Sequence, residues 1–327
     1  MVRSAPSDDG CCDDESDYCV GVTLQTVLIF LVSGCLFTFY GLIIPTWFAG
    51  STAGIVNSIA FAVLMVLTVS SYLQTWLTDP GSVPDRWVPE EILGDHGQID
   101  EAARRAAIES GAVRFCKKCQ MYRPPRSHHC ASCKKCVLRM DHHCPWVQNC
   151  VGAGNTKFFI LFLFYATISC VYYSAMVFFF LLSFFKGKTA LSVKELGAWL
   201  GIILATVIIV FCLSLMVAGL CGWNLWLLAK NETSLENYDN EVAASRGKRA
   251  KRRLEKGLAC TESELEAAKT KKPARHPYNL GLYRNIKSVM GPSWWLWMVP
   301  VHPVGPMMAF ERHSTEMELL HGEGSAV

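Results

Sequence analysis

Residues 116–150 read CKKCQMYRPPRSHHCASCKKCVLRMDHHCPWVQNC and hold seven of the chain's fifteen cysteines together with four histidines. Soft sulfur and imidazole donors at this density point to metal binding. Zinc takes four tetrahedral N or S ligands, and the short gaps in Cys116/Cys119 and Cys130/Cys133 let both sulfurs of a pair reach one ion. Two such sites use eight of the eleven candidates, so three are left over. Neighbouring side chains in extended backbone point to opposite sides, so His129 and Cys130 serve different ions. The sites therefore interleave, with Cys116, Cys119, His129 and Cys136 at one zinc and Cys130, Cys133, His143 and Cys150 at the other. Pro145 biases Cys144 towards extended backbone. His143 then faces the metal while His142 and Cys144 share the other face. His128, His142 and Cys144 are the residues no metal claims.

A free thiol beside a free imidazole suits nucleophilic catalysis. A neutral imidazole can take the thiol proton, and the thiolate is a strong nucleophile. Arg139 is a nearby cation that could favour the thiolate further. Asp141 is the candidate to orient His142 and support its charged form, as the acid of a catalytic triad does. Strict alternation would turn Asp141 away from the face of His142, so this role requires a local turn. His128 reads as structural or solvent-exposed. The alternative to an enzyme is a catalytically silent zinc-containing membrane adaptor, which would keep the eight ligands but give no reason for a free Cys144 beside a free His142.

The elements that must position this segment are membrane helices. The chain has 327 residues, 51% hydrophobic and only 18% charged, with a mean hydropathy of +0.23. A soluble chain carries about a quarter charged residues. Four apolar runs, at 23–44, 54–76, 158–182 and 197–228, are long enough to span a bilayer, and the fourth is longer than one crossing needs. The spans carry essentially no ionisable residues, which argues against a transporter or channel. The fold class expected is therefore all-α and polytopic, with four transmembrane helices and a cytosolic Cys-rich zinc module between helices 2 and 3. Lys and Arg set the orientation: twelve lie between spans two and three and fifteen after span four, against none and three in the other two loops. Positive loops stay on the cytosolic side, so both termini and the Cys/His segment are expected there. The domains expected are a cytosolic tail 1–22, helices one and two in 23–76, the zinc domain 77–157, helices three and four in 158–229 and a cytosolic region 230–327.

The flanking segments add less. Residues 1–20 read without the basic start and apolar core of a cleaved leader, and Cys11, Cys12 and Cys19 read as unmodified cytosolic thiols, with acylation of these cysteines as the alternative. The sequon Asn231-Glu232-Thr233 falls on the cytosolic side and reads as a chance match. The basic run from Arg246 to Arg253 is either a solvated helix face or a patch for anionic lipid. Residues 276–305, with Trp294, Trp295 and Trp297, read as a segment at the membrane interface. A net charge of +3 gives no reason to expect a nucleic-acid partner. No internal repeat is evident.

Over roughly residues 20–300 the chain resembles the DHHC family of protein S-acyltransferases, or palmitoyltransferases. The resemblance rests on Asp141-His142-His143-Cys144 followed by Pro145-Trp146, Asn149-Cys150 and Gly152, and on Asp79-Pro80-Gly81, matching the family's DPG motif after span two. Thr233-Ser234-Leu235-Glu236 resembles its TTxE motif with Ser in place of the second Thr. Pro277-Tyr278, Gly281, Asn285 and Gly291 resemble its C-terminal aromatic motif, with Asn285 at the position that organises the tail against the core. The resemblance implies that Cys144 is acylated by acyl-CoA, palmitoyl-CoA above all, with His142 as base and Asp141 as its partner. It implies two structural zinc ions held by the eight ligands named above. A cysteine of a membrane-associated substrate protein then takes the acyl group.

The bilayer belongs to that reading. Each methylene withdrawn from water is worth about 0.8 kcal/mol, so a long acyl chain is best held between transmembrane helices. Cys144 lies close before span three, which places its thiol at the membrane edge, level with juxtamembrane cysteines of substrates in an endomembrane or the plasma membrane. Trp146 is expected at the cavity mouth. Arg123, Arg126, Lys134 and Lys135 either attract the CoA phosphates or merely add to the loop charge. Ser33, Gly34, Ala166, Ser169 and Ser174 either leave room for the chain or serve close helix packing.

Overall fold

The computed structural model describes residues 14–303 apart from 49, 95–96, 111, 190–191 and 270–275. Cys11 and Cys12 of the N-terminal tail lie outside the described residues.

Four helices are long and apolar enough to cross a membrane: Cys19–Trp47, Thr52–Leu77, Thr156–Phe185 and Trp199–Lys230. The first is built from α1 (Asp14–Thr38), a π-helical stretch at Phe39–Ile43 and α2 (Ile44–Trp47). Pro45 has no N–H to give the carbonyl one turn back, which accounts for the irregular turn just before it. The second span is α3 (Thr52–Leu77), capped by Ser51, whose side chain accepts from the Gly54 N–H. Between α3 and the Cys/His module come a single 3₁₀ turn at Glu90–Ile92 and the short helix α4 (Glu101–Glu109), capped by Asp100. The third span is α5 (Thr156–Phe185). The fourth lies within α6 (Val193–Lys230), which starts in a capping box of Ser192 and Glu195 and so carries its extra length at the N-terminal end. After it follow α7 (Ser234–Glu255), α8 (Glu262–Lys269), α9 (Leu282–Met290) and a 3₁₀ turn at Trp294–Leu296. Metal-ligand clusters between the second and third spans complete the expected architecture, and the protein is a multi-pass membrane protein.

The module between α3 and α5 does contain a repeat, contrary to the reading from sequence. It consists of three antiparallel hairpins: β1 (Arg114–Cys116) with β2 (Met121–Arg123), β3 (His128–Cys130) with β4 (Lys135–Val137), and β5 (His142–Cys144) with β6 (Asn149–Val151). They begin at residues 114, 128 and 142 in the same register, Cys116↔Met121, Cys130↔Lys135 and Cys144↔Asn149. Gln120, Lys134 and Gln148, in the same place in each, all take positive φ at 53°, 53° and 47°. The repeat is hidden because only the Cys at its head, Cys116, Cys130 and Cys144, recurs in all three; the other ligand positions change between copies.

The module is fastened to the ends of the spans. Asp79 Oδ1 accepts from the backbone N–H of Gly81 and Ser82 at 2.7 and 2.8 Å, closing a turn directly after α3. Pro80 O accepts from Gly154 N at 3.0 Å, and Gly81 O from Leu138 N at 2.7 Å. A Cβ at Gly154 would lie 2.2 Å from Asp79 O, so this approach requires glycine. Asn149 Nδ2 donates to the carbonyls of Thr75, Trp76 and Thr78 at 3.2, 3.0 and 2.9 Å, satisfying the acceptors a helix end leaves open. One hydrophobic cluster joins Cys144, Val147 and Val151 of the module to Phe159 and Leu163 of α5 and Val217 of α6. The C-terminal segment is tied in by Asn285, fully buried, which donates to Ala229 O at 2.7 Å and accepts from Leu280 N at 2.9 Å.

Candidate active site

The hairpin repeat explains how the donors group. Each hairpin carries a thiol at the end of its first strand, and in the first two a second thiol follows three residues later, Cys119 and Cys133. The His and Cys that face each such pair come from the next hairpin: His129 opposite Cys136, and His143 opposite Cys150. In one cluster His129 Nδ1 lies 3.6, 3.2 and 4.0 Å from the sulfurs of Cys116, Cys119 and Cys136. In the other, His143 Nδ1 lies 3.7, 3.4 and 3.7 Å from those of Cys130, Cys133 and Cys150. Sulfur and nitrogen ligands about 2.3 and 2.0 Å from a tetrahedral zinc sit roughly 3.5–3.8 Å apart. Both clusters could hold a metal ion, and their donor chemistry and spacing fit zinc.

Cys144 stands where Cys116 and Cys130 stand in the earlier hairpins, but Val147 replaces the second thiol and no hairpin follows. The chain runs into α5 instead. Its partner is His142, two residues away on the same face of β5, whose charge bears on the thiol. His142 Nδ1 in turn donates to Asp141 Oδ2 at 2.6 Å. Asp141 precedes β5 and follows Arg139, whose φ is 46°, and this supplies the local turn that alternation along a strand would have forbidden. The carboxylate also accepts from the Ser234 backbone N–H at 2.6 Å and the Ser234 hydroxyl at 3.0 Å, both from the start of α7. The edge of Phe159 packs on the imidazole at 5.3 Å between ring centroids.

The electrostatics of the three groups follow from these contacts. Burial opposes charge on Asp141, but hydrogen bonds and charge from His142, with those from Ser234, hold its carboxyl below the ordinary range. Burial also opposes the imidazolium, yet the bonds to Asp141 and Cys144 outweigh it and lift His142 to about 9. Burial pushes the Cys144 thiol up, and the hydrogen bond and charge of His142, with the backbone N–H groups of Val147 and Trp146, bring it below its usual value. Each shift favours a thiolate–imidazolium pair supported by a carboxylate.

The pair opens onto a cavity of about 460 Å³ between α1, α3, α5 and α6. Trp146, Pro145 and Ser234 are at its mouth with Cys144 and His142, and its walls are almost wholly apolar. The far end is marked by Phe61 and Tyr173, and the Tyr173 hydroxyl is 2.6 Å from that of Thr38. Ala166 and Ser169 line it; Ser33, Gly34 and Ser174 are not among its walls.

These features decide between families once set beside known proteins. The DHHC palmitoyltransferase family model matches residues 109–241. Probable protein S-acyltransferase 16 of Arabidopsis thaliana is 32% identical over 288 residues, 86% of this chain and 89% of that protein. This chain belongs to the DHHC palmitoyltransferase family. Among its other relatives, probable protein S-acyltransferase 13 of Arabidopsis thaliana is 32% identical over 292 residues, 85% of each chain. Palmitoyltransferase ZDHHC15 of Xenopus laevis is 36% identical over 227 residues, 68% of this chain and 58% of that one. The protein is a protein S-acyltransferase.

Within this DHHC palmitoyltransferase several sequence assignments change place. Arg126 is buried and donates to both carboxylate oxygens of Glu236 at 2.7 Å and to Asn231 O at 2.9 Å, so it is a structural cation inside the fold. Lys135 donates to Asp79 Oδ2 at 2.9 Å and thus braces the turn after α3. Lys134 is exposed and Arg123 half-buried. Arg139 is buried against Asn231, with Nη2 donating to its Oδ1 at 3.2 Å, and its charge bears on Asp141. The sequence reading missed Asn231. It ends α6 at φ 52°, receives Arg126 and Arg139, and donates to Tyr278 O at 2.8 Å. The same residue heads the sequon set aside as chance, and an Asn at a helix C-terminus followed by a capping pattern was the available signal.

Proposed function

We propose that Cys144 is the acylated nucleophile of this S-acyltransferase, that acyl-CoA is the donor, and that cysteines of membrane-associated proteins are the acceptors. The observation that carries the reading is the Cys144–His142–Asp141 series at the mouth of an apolar cavity between the spans. In the first step the Cys144 thiolate attacks the thioester carbonyl. The tetrahedral intermediate expels the CoA thiolate, which takes the proton held by the His142 imidazolium. In the second step neutral His142 accepts the proton of a substrate thiol, and the new thiolate attacks the acyl–Cys144 carbonyl. Cys144 leaves as thiolate beside a re-protonated His142, restoring the starting pair. Asp141 keeps Nδ1 protonated and the ring oriented throughout. Zinc at the cluster of Cys116, Cys119, His129 and Cys136 and at that of Cys130, Cys133, His143 and Cys150 would supply rigidity and no step of the reaction.

The cavity supports a long-chain donor. From Phe159, packed on His142, to Tyr173 is fourteen residues of one helix, about 21 Å at 1.5 Å per residue. A zigzag of bonds about 1.5 Å long at roughly 111° advances about 1.25 Å per carbon, so about 16 carbons fit. The excess of Lys and Arg beside the module supports cytosolic termini and a cytosolic catalytic face, in an endomembrane or the plasma membrane. Tail 1–22, helices 23–76, zinc domain 77–157, helices 158–229 and region 230–327 are the working division of the chain. A labelled long-chain acyl-CoA incubated with the purified protein should leave a hydroxylamine-sensitive label. The label should vanish in Cys144→Ser without loss of folding; undiminished labelling of that variant would overturn the assignment.

A further inference from the structure

Span one brings the N-terminal tail to the mouth of the cavity. Leu28, Leu31 and Val32 of α1 line the cavity together with Cys144. About two turns nearer the start of the chain, Gly21 lies against Gln148 in the turn between β5 and β6. A Cβ at Gly21 would come within 2.3 Å of Gln148 Nε2, so α1 and this turn are in direct contact. The turn belongs to the hairpin whose first strand ends in Cys144. Tyr72 of α3 donates to Trp146 O at 3.0 Å and holds the same turn from the other side. α1 therefore leaves the membrane directly beside the nucleophile. It begins at Asp14, two residues after the adjacent thiols Cys11 and Cys12.

The tail is long enough to reach the site. Nine residues lead from Cys12 to Gly21, and they cover about 30 Å when extended against about 14 Å as helix. Helix ends fray, and opening the first turn of α1 lets either thiol meet a thioester on Cys144. Cys19 is the contrast. It is exposed, but it sits about 200° round the helix from Gly21, so α1 holds it on the side away from Gln148. Charge favours the same approach. Asp8, Asp9, Asp13, Asp14, Glu15 and Asp17 surround Cys11 and Cys12, while the module exposes Arg114, Lys117, Lys118 and Lys134. Opposite charges draw the tail towards the module. The same carboxylates repel the phosphates of free acyl-CoA, so acylation of these thiols depends on Cys144 rather than on CoA in solution.

We propose that Cys11 and Cys12 are acyl acceptors of this chain's own active site, each taking the acyl group from Cys144 of the same molecule. The proposal rests on the reading of Cys144 as the acylated residue. Neutral His142 takes the proton of the tail thiol, and the tail sulfur attacks the acyl–Cys144 carbonyl. The bond from the carbonyl carbon to Cys144 breaks as the bond to the tail sulfur forms. Cys144 leaves as thiolate beside the imidazolium, so one thioester replaces another and no further reactant is consumed. Each transfer frees the nucleophile for another acyl-CoA and leaves a lipid anchor that ties the tail to the bilayer beside the mouth.

The test follows label with time in the purified full-length protein given labelled palmitoyl-CoA, with peptide mapping of each sample. Brief exposure should label Cys144 alone. Longer exposure should add up to two hydroxylamine-sensitive groups on the peptide holding Cys11 and Cys12, at a rate unchanged by tenfold dilution of the protein. The double variant Cys11→Ser with Cys12→Ser should keep the Cys144 label and lose the tail label, and Cys19→Ser should keep both. Cys144→Ala mixed with the active double variant should keep an unlabelled tail, because transfer is intramolecular. A tail that stays bare while Cys144 is acylated would overturn this proposal alone, as would label on Cys19 in its place or on the tail of Cys144→Ala. Absence of label from Cys144 itself in wild type would instead overturn the catalytic assignment, and this proposal with it.

Discussion

Ser234→Ala removes one hydroxyl and isolates the support given to Asp141. The Ser234 hydroxyl donates to Asp141 Oδ2 at 3.0 Å, the same oxygen that receives His142 Nδ1, while the Ser234 backbone N–H bonds to the other oxygen. A hydrogen bond to a charged group is worth about 1.5–3 kcal/mol. The lower end applies, because the backbone bond remains and Ser234 lines the cavity mouth, where water can replace part of what is lost. About 1.4 kcal/mol is tenfold in rate. The single-turnover acylation rate constant of Ser234→Ala should therefore fall roughly tenfold, with Ser234→Thr close to wild type and metal content unchanged. The pH profile gives an independent signature. Asp141 stays ionised and is one of the groups that raise His142 to about 9, so with the competing Ser234 donor gone the alkaline decline of the rate, where the imidazolium is lost, should not move to lower pH in Ser234→Ala. A rate identical to wild type, or an alkaline limb moved to lower pH, would refute the argument that α7 reaches the chemistry through this carboxylate.

Three further outcomes are expected. Ala166→Phe places a ring about seven residues, roughly 10 Å, past Phe159 along α5, so a 16-carbon donor should slow markedly in acylation assays while an 8-carbon donor is kept. Asn149→Ala removes the one amide group that serves three carbonyls at the end of α3 and should lower stability by about 1–3 kcal/mol, read as an earlier thermal unfolding transition of the purified protein. Cys133→Ser should release one equivalent of metal, measured by elemental analysis, and lose acylation through loss of the hairpin frame rather than of the nucleophile.

Much of this protein is legible in its sequence because hydrophobic runs and ligand spacing are local properties. The four spans and the interleaved metal clusters follow from apolar length and from alternation along short strands, and both reappear in the structure. What stayed hidden depends on contacts between distant segments. Arg126 reads as a surface cation until Glu236, 110 residues later, is brought against it. Asn231 reads as a stray sequon until two buried guanidinium groups converge on it. Asp141 is placed by a left-handed turn at Arg139, which no strand pattern announces. The hairpin repeat escaped notice because substitution at the third copy, Val147 for a cysteine, is also what leaves Cys144 unclaimed.

The central claim is that one sulfur among seven in the module stays out of the metal clusters and carries the acyl group. The most direct measurement is mass spectrometry of the purified protein after brief exposure to palmitoyl-CoA, with peptide mapping of the adduct and a metal count on the same sample. The account predicts one thioester-linked acyl group on the peptide containing Cys144, with two metal ions retained. An adduct on another cysteine, or an acylated Cys144 gained only with loss of a metal ion, would contradict it.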